Sequence, residues 1–216
     1  MNHTRIAAAL LAATLAGAPF FLNQAAAGDN TKASQQGTAP TGLKIGDAAP
    51  DAELIDALTN AKVQTASLWK DRPVVISFYR GGWCPYCTKS LSAWQGRAAE
   101  LEAAGATLVA VAMEKPSLIT KTREKHKLDL LLLADATGTA CRAFKTLFDL
   151  DEKTREKYQG YGIDLSKNNE NGQWQLPVPA TYVIDTKGTV RYVHFDPDYS
   201  KRASPDDVIA AVKALR

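Results

Sequence analysis

Cysteine and histidine are scarce in this chain of 216 residues, which contains three of each. A structural zinc site needs four ligands, usually supplied as two paired clusters. Only Cys84 and Cys87 are paired; in the body of the chain Cys141, His126 and His194 each stand alone. We therefore expect no bound metal, and we predict no other cofactor.

Long runs of one charge are also missing. The net charge is only +3, and no segment collects the Lys and Arg residues that would follow a phosphate backbone. A nucleic acid is therefore not expected as a partner.

The N-terminal apolar run, residues 6–22, falls short of the roughly 20 residues that cross a bilayer and is interrupted by Pro19. A basic start at Arg5 and small residues at 25–27 are typical of an export signal. We predict a signal peptide over 1–27 and an exported, periplasmic protein without stable membrane association after cleavage. An uncleaved anchor is the alternative.

Residues 28–43 are rich in Gly, Ser, Thr, Gln, Ala and Pro, a composition that cannot bury enough apolar surface to offset chain entropy. This segment is predicted to be a flexible leader. Residues 44–216 then have the length of one ordinary domain.

Hydrophobic periodicity predicts strands that alternate with helices. Strands are expected at 74–79, 107–113, 130–133, 182–185 and 190–195, and helices from Pro85, from Pro116, after Asp135 and from Ser204. The polar stretch 149–175 has no clear period and is interpreted as an insertion or lid. This order describes an α/β layer fold with a mixed β-sheet flanked by helices.

Cys84 and Cys87 lie where the strand 74–79 gives way to a helix. Unpaired N–H groups and the helix dipole favour a thiolate there, and sulfurs three residues apart share one helix face. Pro85, between them, suits the first helical position. The spacing therefore predicts a reversible dithiol.

Two other features bear on this chemistry. Arg80, before the flexible Gly81 and Gly82, is a candidate to stabilise a thiolate or a bound peroxide, although an exposed surface arginine is equally compatible with the sequence. Cys141 shares a helical face with Phe144, so it is either a small core residue or a resolving thiol for Cys87.

Residues 44–51 and, more specifically, 80–87 resemble the peroxiredoxin-like members of the alkyl hydroperoxide reductase and thiol-specific antioxidant (AhpC/TSA) family, within the thioredoxin-fold superfamily. The resemblance implies a thioredoxin-like fold over the whole domain. Residues 178–188 resemble its cis-proline strand, which implies that Pro179 is cis and packs against the cysteine pair. Residues 196–202 also resemble one branch of the family.

The resemblance leaves the nucleophile open. Aligned with the peroxiredoxin motif, Cys87 takes the attacking position, Arg80 replaces a proline and Cys84 replaces a threonine that orients peroxide. The second arginine of typical sites falls near Pro179 and is not matched. Aligned with thioredoxin, the nucleophile is an exposed Cys84.

The function predicted is therefore a thiol peroxidase that reduces hydrogen peroxide or organic hydroperoxides through Cys84 and Cys87 and is restored by an external dithiol, such as a thioredoxin-like protein. Arg80, Trp83, Pro85 and Pro179 are the predicted supporting residues. An exported thiol-disulfide oxidoreductase is the alternative. A binding module in which the disulfide gates segment 149–175 is a third hypothesis.

Overall fold

The computed structural model describes residues 39–216. The predicted signal peptide, 1–27, and most of the predicted leader lie outside this range. Within it, Gly42 donates a backbone hydrogen bond to Lys145, and Leu43 is buried. The packed domain thus begins two residues before the predicted boundary at residue 44.

Nine strands and seven helices occur in the described range. The strands are β1 (Glu53–Asp56), β2 (Lys62–Gln64), β3 (Val74–Phe78), β4 (Thr107–Ala112), β5 (Leu131–Ala134), β6 (Leu147–Asp149), β7 (Gln175–Pro177), β8 (Ala180–Ile184) and β9 (Val190–Phe195). The helices are α1 (Thr65–Leu68), α2 (Pro85–Ala103), α3 (Pro116–His126), α4 (Thr139–Ala143), α5 (Glu152–Gly160), α6 (Leu165–Asn168) and α7 (Pro205–Lys213). None of these helices has the length and apolarity needed to cross a bilayer.

Seven strands form one mixed sheet in the order β2-β1-β5-β4-β3-β8-β9. The central strands β3, β4 and β5 are parallel, whereas β8 pairs antiparallel with β3 and β9 antiparallel with β8. Strands β6 and β7 form a separate two-stranded sheet. The predicted mixed sheet flanked by helices is confirmed.

The sheet separates two apolar cores because successive side chains of a strand point to opposite faces. In β3, which is buried throughout, Val75 packs with α2, α3 and α7, and Ile76 packs with α4 and the N-terminal segment. Cys87 belongs to the first core and Cys141 to the second. This division fixes which cysteines can meet.

Two regions differ from the sequence expectation. The pairing of β1 with β2 and the short α1 had no predicted counterpart. Segment 149–175 contains two helices, α5 and α6, and builds a small core around Leu150, Leu165 and Leu176. Leu150 lies between β6 and α5, Leu165 begins α6, and Leu176 lies in β7 just beyond the segment, so no single period reveals them.

Candidate active site

The cysteine pair lies at the junction of β3 and α2, as predicted. Cys84 is the N-cap of α2, Pro85 is the first helical residue, and Cys87 lies in the first turn, where its N–H donates to the carbonyl of Cys84 at 3.0 Å. Proline fits because the first helical N–H has no partner within the helix. The helix therefore places both sulfurs at its N-terminus.

The two sulfurs are hydrogen-bonded to each other, with the Cys84 thiol as donor to Cys87. That bond, followed by burial, raises the pKa of Cys84. Cys84 is only 2% exposed, so the exposed Cys84 implied by the alignment with thioredoxin is wrong. A thiol that donates to its neighbour stabilises the neighbour's anion instead of its own.

Cys87 is the thiolate of the pair although it is completely buried. Burial by itself would raise its pKa, but the hydrogen bond from Cys84, the positive charges of Arg202 and Arg80, and the Arg80 backbone N–H together outweigh it. The net effect lowers the pKa of Cys87 to about 6. Of the two cysteines, Cys87 is therefore the one that carries the negative charge.

Arg202 makes a direct contact with this sulfur. Its Nη2 donates to Sγ of Cys87 at 3.2 Å, while Nη1 donates to the backbone carbonyls of Tyr199 and Lys201. The two carbonyls fix the guanidinium. Because Arg202 is half-buried, its side chain extends from the protein surface to the buried sulfur.

Arg80 is buried rather than solvated, so its interpretation as an exposed surface arginine is wrong. Its guanidinium carbon lies over three aromatic rings, at 4.2 Å from the ring centre of Tyr199, 5.1 Å from Trp83 and 5.5 Å from Tyr158. We call these three rings the aromatic cage. Cation–π contacts hold the positive charge near Cys87 without a carboxylate that would neutralise it.

The cage joins three separate parts of the chain. Trp83 belongs to the cysteine loop, Tyr158 to α5, and Tyr199 to the turn after β9. Trp83 and Tyr158 meet edge to face at 5.6 Å, and both pack on the small core of segment 149–175. That segment therefore covers the site through Tyr158, as expected for a lid, whereas Tyr161 is exposed.

Gly81 and Gly82 allow the loop to pack tightly. Gly81 has a φ of +151°, and a Cβ there would approach the carboxyl carbon of Glu114 to 2.9 Å. A Cβ at Gly82 would overlap the hydroxyl of Thr122. The Gly82 N–H donates to Oε2 of Glu114 at 2.8 Å, so this buried carboxyl anchors the loop.

Pro179 is buried just before β8. No peptide bond between residues 39 and 216 is cis, so the cis bond predicted at Pro179 is wrong. Because Phe78 pairs with Ala180 in antiparallel strands, Pro179 lies opposite Tyr79. Tyr79 directly precedes Arg80. Its packing against the sulfurs remains a prediction.

Cys141 lies on the opposite face of the sheet from Cys87. It is completely buried, its N–H donates to Oδ2 of Asp135 at 2.7 Å, and burial raises the pKa of its thiol. The sheet between the two cores keeps it from Cys87. Of the two hypotheses for Cys141, the structure supports the core residue.

Together, these groups form a dithiol with one ionised sulfur, two nearby guanidinium groups and a neighbouring acid. None of the three cysteines is in a disulfide. In the described part of the chain, no group of three or more His, Cys, Asp or Glu side chains is arranged to hold a metal ion. The arrangement suits nucleophilic attack by sulfur followed by disulfide formation.

Sequence reasoning missed Arg202, Tyr199 and Glu114. The first two lie in segment 196–202, whose resemblance to one family branch was the available signal, but nothing in the pattern placed it beside the cysteines. Glu114 follows a buried strand, and a charged residue at that position is ordinarily exposed. Only the parallel pairing of β3 and β4 brings it to the cysteine loop.

Comparison with known proteins identifies the family of the chain. Residues 45–193 match the model of the AhpC/TSA family. Chloroplastic peroxiredoxin Q of Oryza sativa subsp. japonica is 28% identical over 149 residues, 69% of this chain but only 58% of the rice protein, so the chain spans less than two thirds of that relative.

This chain is also similar to solved structures of related proteins. Peroxidoxin BcpB from Mycobacterium tuberculosis is 27% identical, with a TM-score of 0.63, and the match covers 81% of this chain and 99% of that one. A peroxiredoxin-like protein from Aquifex aeolicus, at 20% identity and a TM-score of 0.65 over 82% of this chain and 91% of its own, shows the same fold. With the family model matched over most of its domain, the chain belongs to the AhpC/TSA family.

Proposed function

We propose that this protein is a thiol peroxidase that reduces hydrogen peroxide or organic hydroperoxides with Cys87 as the attacking sulfur and Cys84 as the resolving one. The observation that carries the proposal is the buried Cys87 thiolate, which receives hydrogen bonds from Cys84 and Arg202. Family membership supports the reaction class, and these contacts support the assignment of roles.

In the first step the sulfur anion of Cys87 attacks one peroxide oxygen and the O–O bond breaks. Arg80 and Arg202 lie where they can stabilise the negative charge that develops on the departing oxygen. Cys87 becomes a sulfenic acid, and the departing oxygen takes up one proton to become an alcohol or water. Here the two guanidinium groups take the place of the threonine that typical family members use.

In the second step the Cys84 sulfur attacks the sulfenic sulfur, and water leaves as the disulfide forms. The two sulfurs are already hydrogen-bonded, so no helix needs to unwind. An external dithiol, such as a thioredoxin-like protein, then reduces the disulfide by exchange. Pro85 and Tyr86 are exposed beside Cys84, so the external dithiol approaches the Cys84 sulfur from their side.

The alternative, a thiol-disulfide oxidoreductase of thioredoxin type, requires an accessible Cys84 thiolate to attack a partner's disulfide. The pKa of Cys84 is raised, so its sulfur stays protonated and this alternative is not favoured.

Stopped-flow mixing separates the two activities. Reduced protein is mixed with hydrogen peroxide while the fluorescence of Trp83, beside the sulfurs, is recorded, and the same sample is assayed for reduction of insulin disulfides. We expect peroxide to oxidise the protein far faster than it oxidises a free thiol, with little insulin reduction. The opposite ranking would reject the peroxidase.

Export to the periplasm is proposed as well, on the basis of the basic start, the apolar run and the small residues at 25–27. N-terminal sequencing of the protein from a cell fraction outside the inner membrane is expected to begin at Gly28. A protein that keeps residues 1–27 and remains with the membrane would support the uncleaved anchor.

A further inference from the structure

Glu114 is a buried carboxyl group next to the redox pair. It follows β4, is 3% exposed, and accepts the hydrogen bond from Gly82 described above. Over residues 39–216 it forms no ion pair with any Lys or Arg. A carboxylate that is buried without a cation is costly to ionise.

The titratable groups that face Glu114 add to this cost. Tyr79, which directly follows β3, and Cys87 in α2 both interact electrostatically with its carboxyl group, and neither is a cation. The nearby cation, Arg80, is held by the aromatic cage, and Lys115, which follows Glu114 in the chain, is the N-cap of α3. The charge of the Cys87 thiolate therefore opposes ionisation of Glu114.

Burial raises the pKa of Glu114 to about 7; the hydrogen bond from Gly82 opposes this rise, and the Cys87 thiolate adds a smaller increase. The thiolate charge vanishes when Cys87 enters a disulfide, so the pKa of Glu114 must then fall. The neighbouring carboxyl thus changes its affinity for a proton in step with the redox state of the cysteines.

We propose that Glu114 stores a proton for the redox reaction: it holds the proton while Cys87 is a thiolate and releases it when the disulfide with Cys84 forms. The inference rests on the reversible disulfide of the proposed function. Glu114 acts through Cys87 and the loop that it anchors, so it is a positioning and proton-storing residue.

The balance of atoms explains why the reaction needs such a group. Reducing a hydroperoxide to an alcohol and water takes two electrons and two protons. The pair supplies both electrons as the S–S bond forms, but only one proton, that of the Cys84 thiol, because Cys87 is already ionised. Glu114 supplies the second, and the site then carries one negative charge in both states. Reduction by an external dithiol returns both protons.

Infrared difference spectroscopy tests the inference without peroxide. Reduced and oxidised protein are compared in a dithiothreitol redox buffer, at a pH between the two pKa values of about 6 and about 7. We expect a protonated carboxyl band in the reduced state that is lost on oxidation and is missing from Glu114→Gln. The exposed Glu102→Gln on α2 is the matched control and should keep the band.

A count of protons taken up on reduction supplies a second readout. The wild type should take up as much as one proton more than Glu114→Gln in this pH range, and the excess should disappear at alkaline pH. If the variant does not fold, the band of the wild type and its pH dependence decide alone. A disulfide that forms with no change in a carboxyl band would overturn this inference only, whereas a pair that never forms a disulfide would overturn the proposed function too.

Discussion

Arg202 and Cys87 are 115 positions apart in the chain, yet the guanidinium Nη2 of one donates to the sulfur of the other at 3.2 Å. This contact brings a positive charge from the turn after β9 to the first turn of α2. It supplies an arginine beside the Cys87 sulfur, whereas the position near Pro179 holds no arginine.

Replacing Arg202 with Met is expected to weaken the Cys87 thiolate. An opposite charge within a few ångströms lowers a pKa by about 1–3 units, so its loss should raise the pKa of Cys87 by about 1 unit or more. Titration of the thiolate by its ultraviolet absorbance measures the shift. Lys201→Met, which removes an exposed neighbouring charge, should leave the titration unchanged.

The pH dependence of peroxide oxidation follows from the same sulfur. The pKa of Cys87 is lowered to about 6, so the reactive thiolate accumulates as the pH rises through about 6 and is nearly complete above about 7. The second-order rate constant should fall about tenfold per pH unit on the acid side and level off on the alkaline side. A rate that still rises between about pH 8 and 9, as for an ordinary thiol, would contradict the assignment.

The aromatic cage should matter for both stability and rate. Tyr199→Leu removes the ring nearest to Arg80, at 4.2 Å, and a cation–π contact contributes about 0.5–2 kcal/mol. We expect the free energy of unfolding to fall by about 1 kcal/mol and peroxide oxidation to slow severalfold because Arg80 loses its position. Denaturant titration and stopped-flow kinetics measure the two effects.

Tyr161→Leu is the matched control, because Tyr161 is exposed and contributes no ring to the cage. If both tyrosine variants behaved alike, the effect could not be assigned to Arg80.

Cys141 should be dispensable for the chemistry but not for packing. Cys141→Ala removes a completely buried sulfur, so the free energy of unfolding should fall by about 1–3 kcal/mol. Oxidation of the other two cysteines should proceed at the wild-type rate, measured by trapping and mapping of free thiols. Loss of the Cys84–Cys87 disulfide in this folded variant would restore the resolving hypothesis.

The sequence predicted the central architecture because local patterns determine it. The fully buried β3 is a nearly continuous apolar run in the sequence. The helical spacing of Leu91 and Trp94 indicates the buried face of α2. Pro85 at the first helical position then locates the cysteine pair. These elements needed no knowledge of distant contacts.

The rest of the site depends on long-range packing. Arg80 is buried only because Tyr158 and Tyr199 arrive from other parts of the chain, and Glu114 reaches the cysteine loop through the pairing of β3 with β4. The sequence left open which sulfur is ionised for the same reason. The helix N-terminus favours either sulfur, whereas Arg202 and the hydrogen bond from Cys84 select Cys87.

The most direct test of the account identifies the sulfur that peroxide oxidises. Cys84→Ser and Cys87→Ser are each treated with one equivalent of hydrogen peroxide and a sulfenic acid trap, and the adduct is located by mass spectrometry. We predict rapid formation of a trapped sulfenic acid on Cys87 in the first variant and no comparable adduct in the second. An adduct that forms only on Cys84, in Cys87→Ser, would contradict the account.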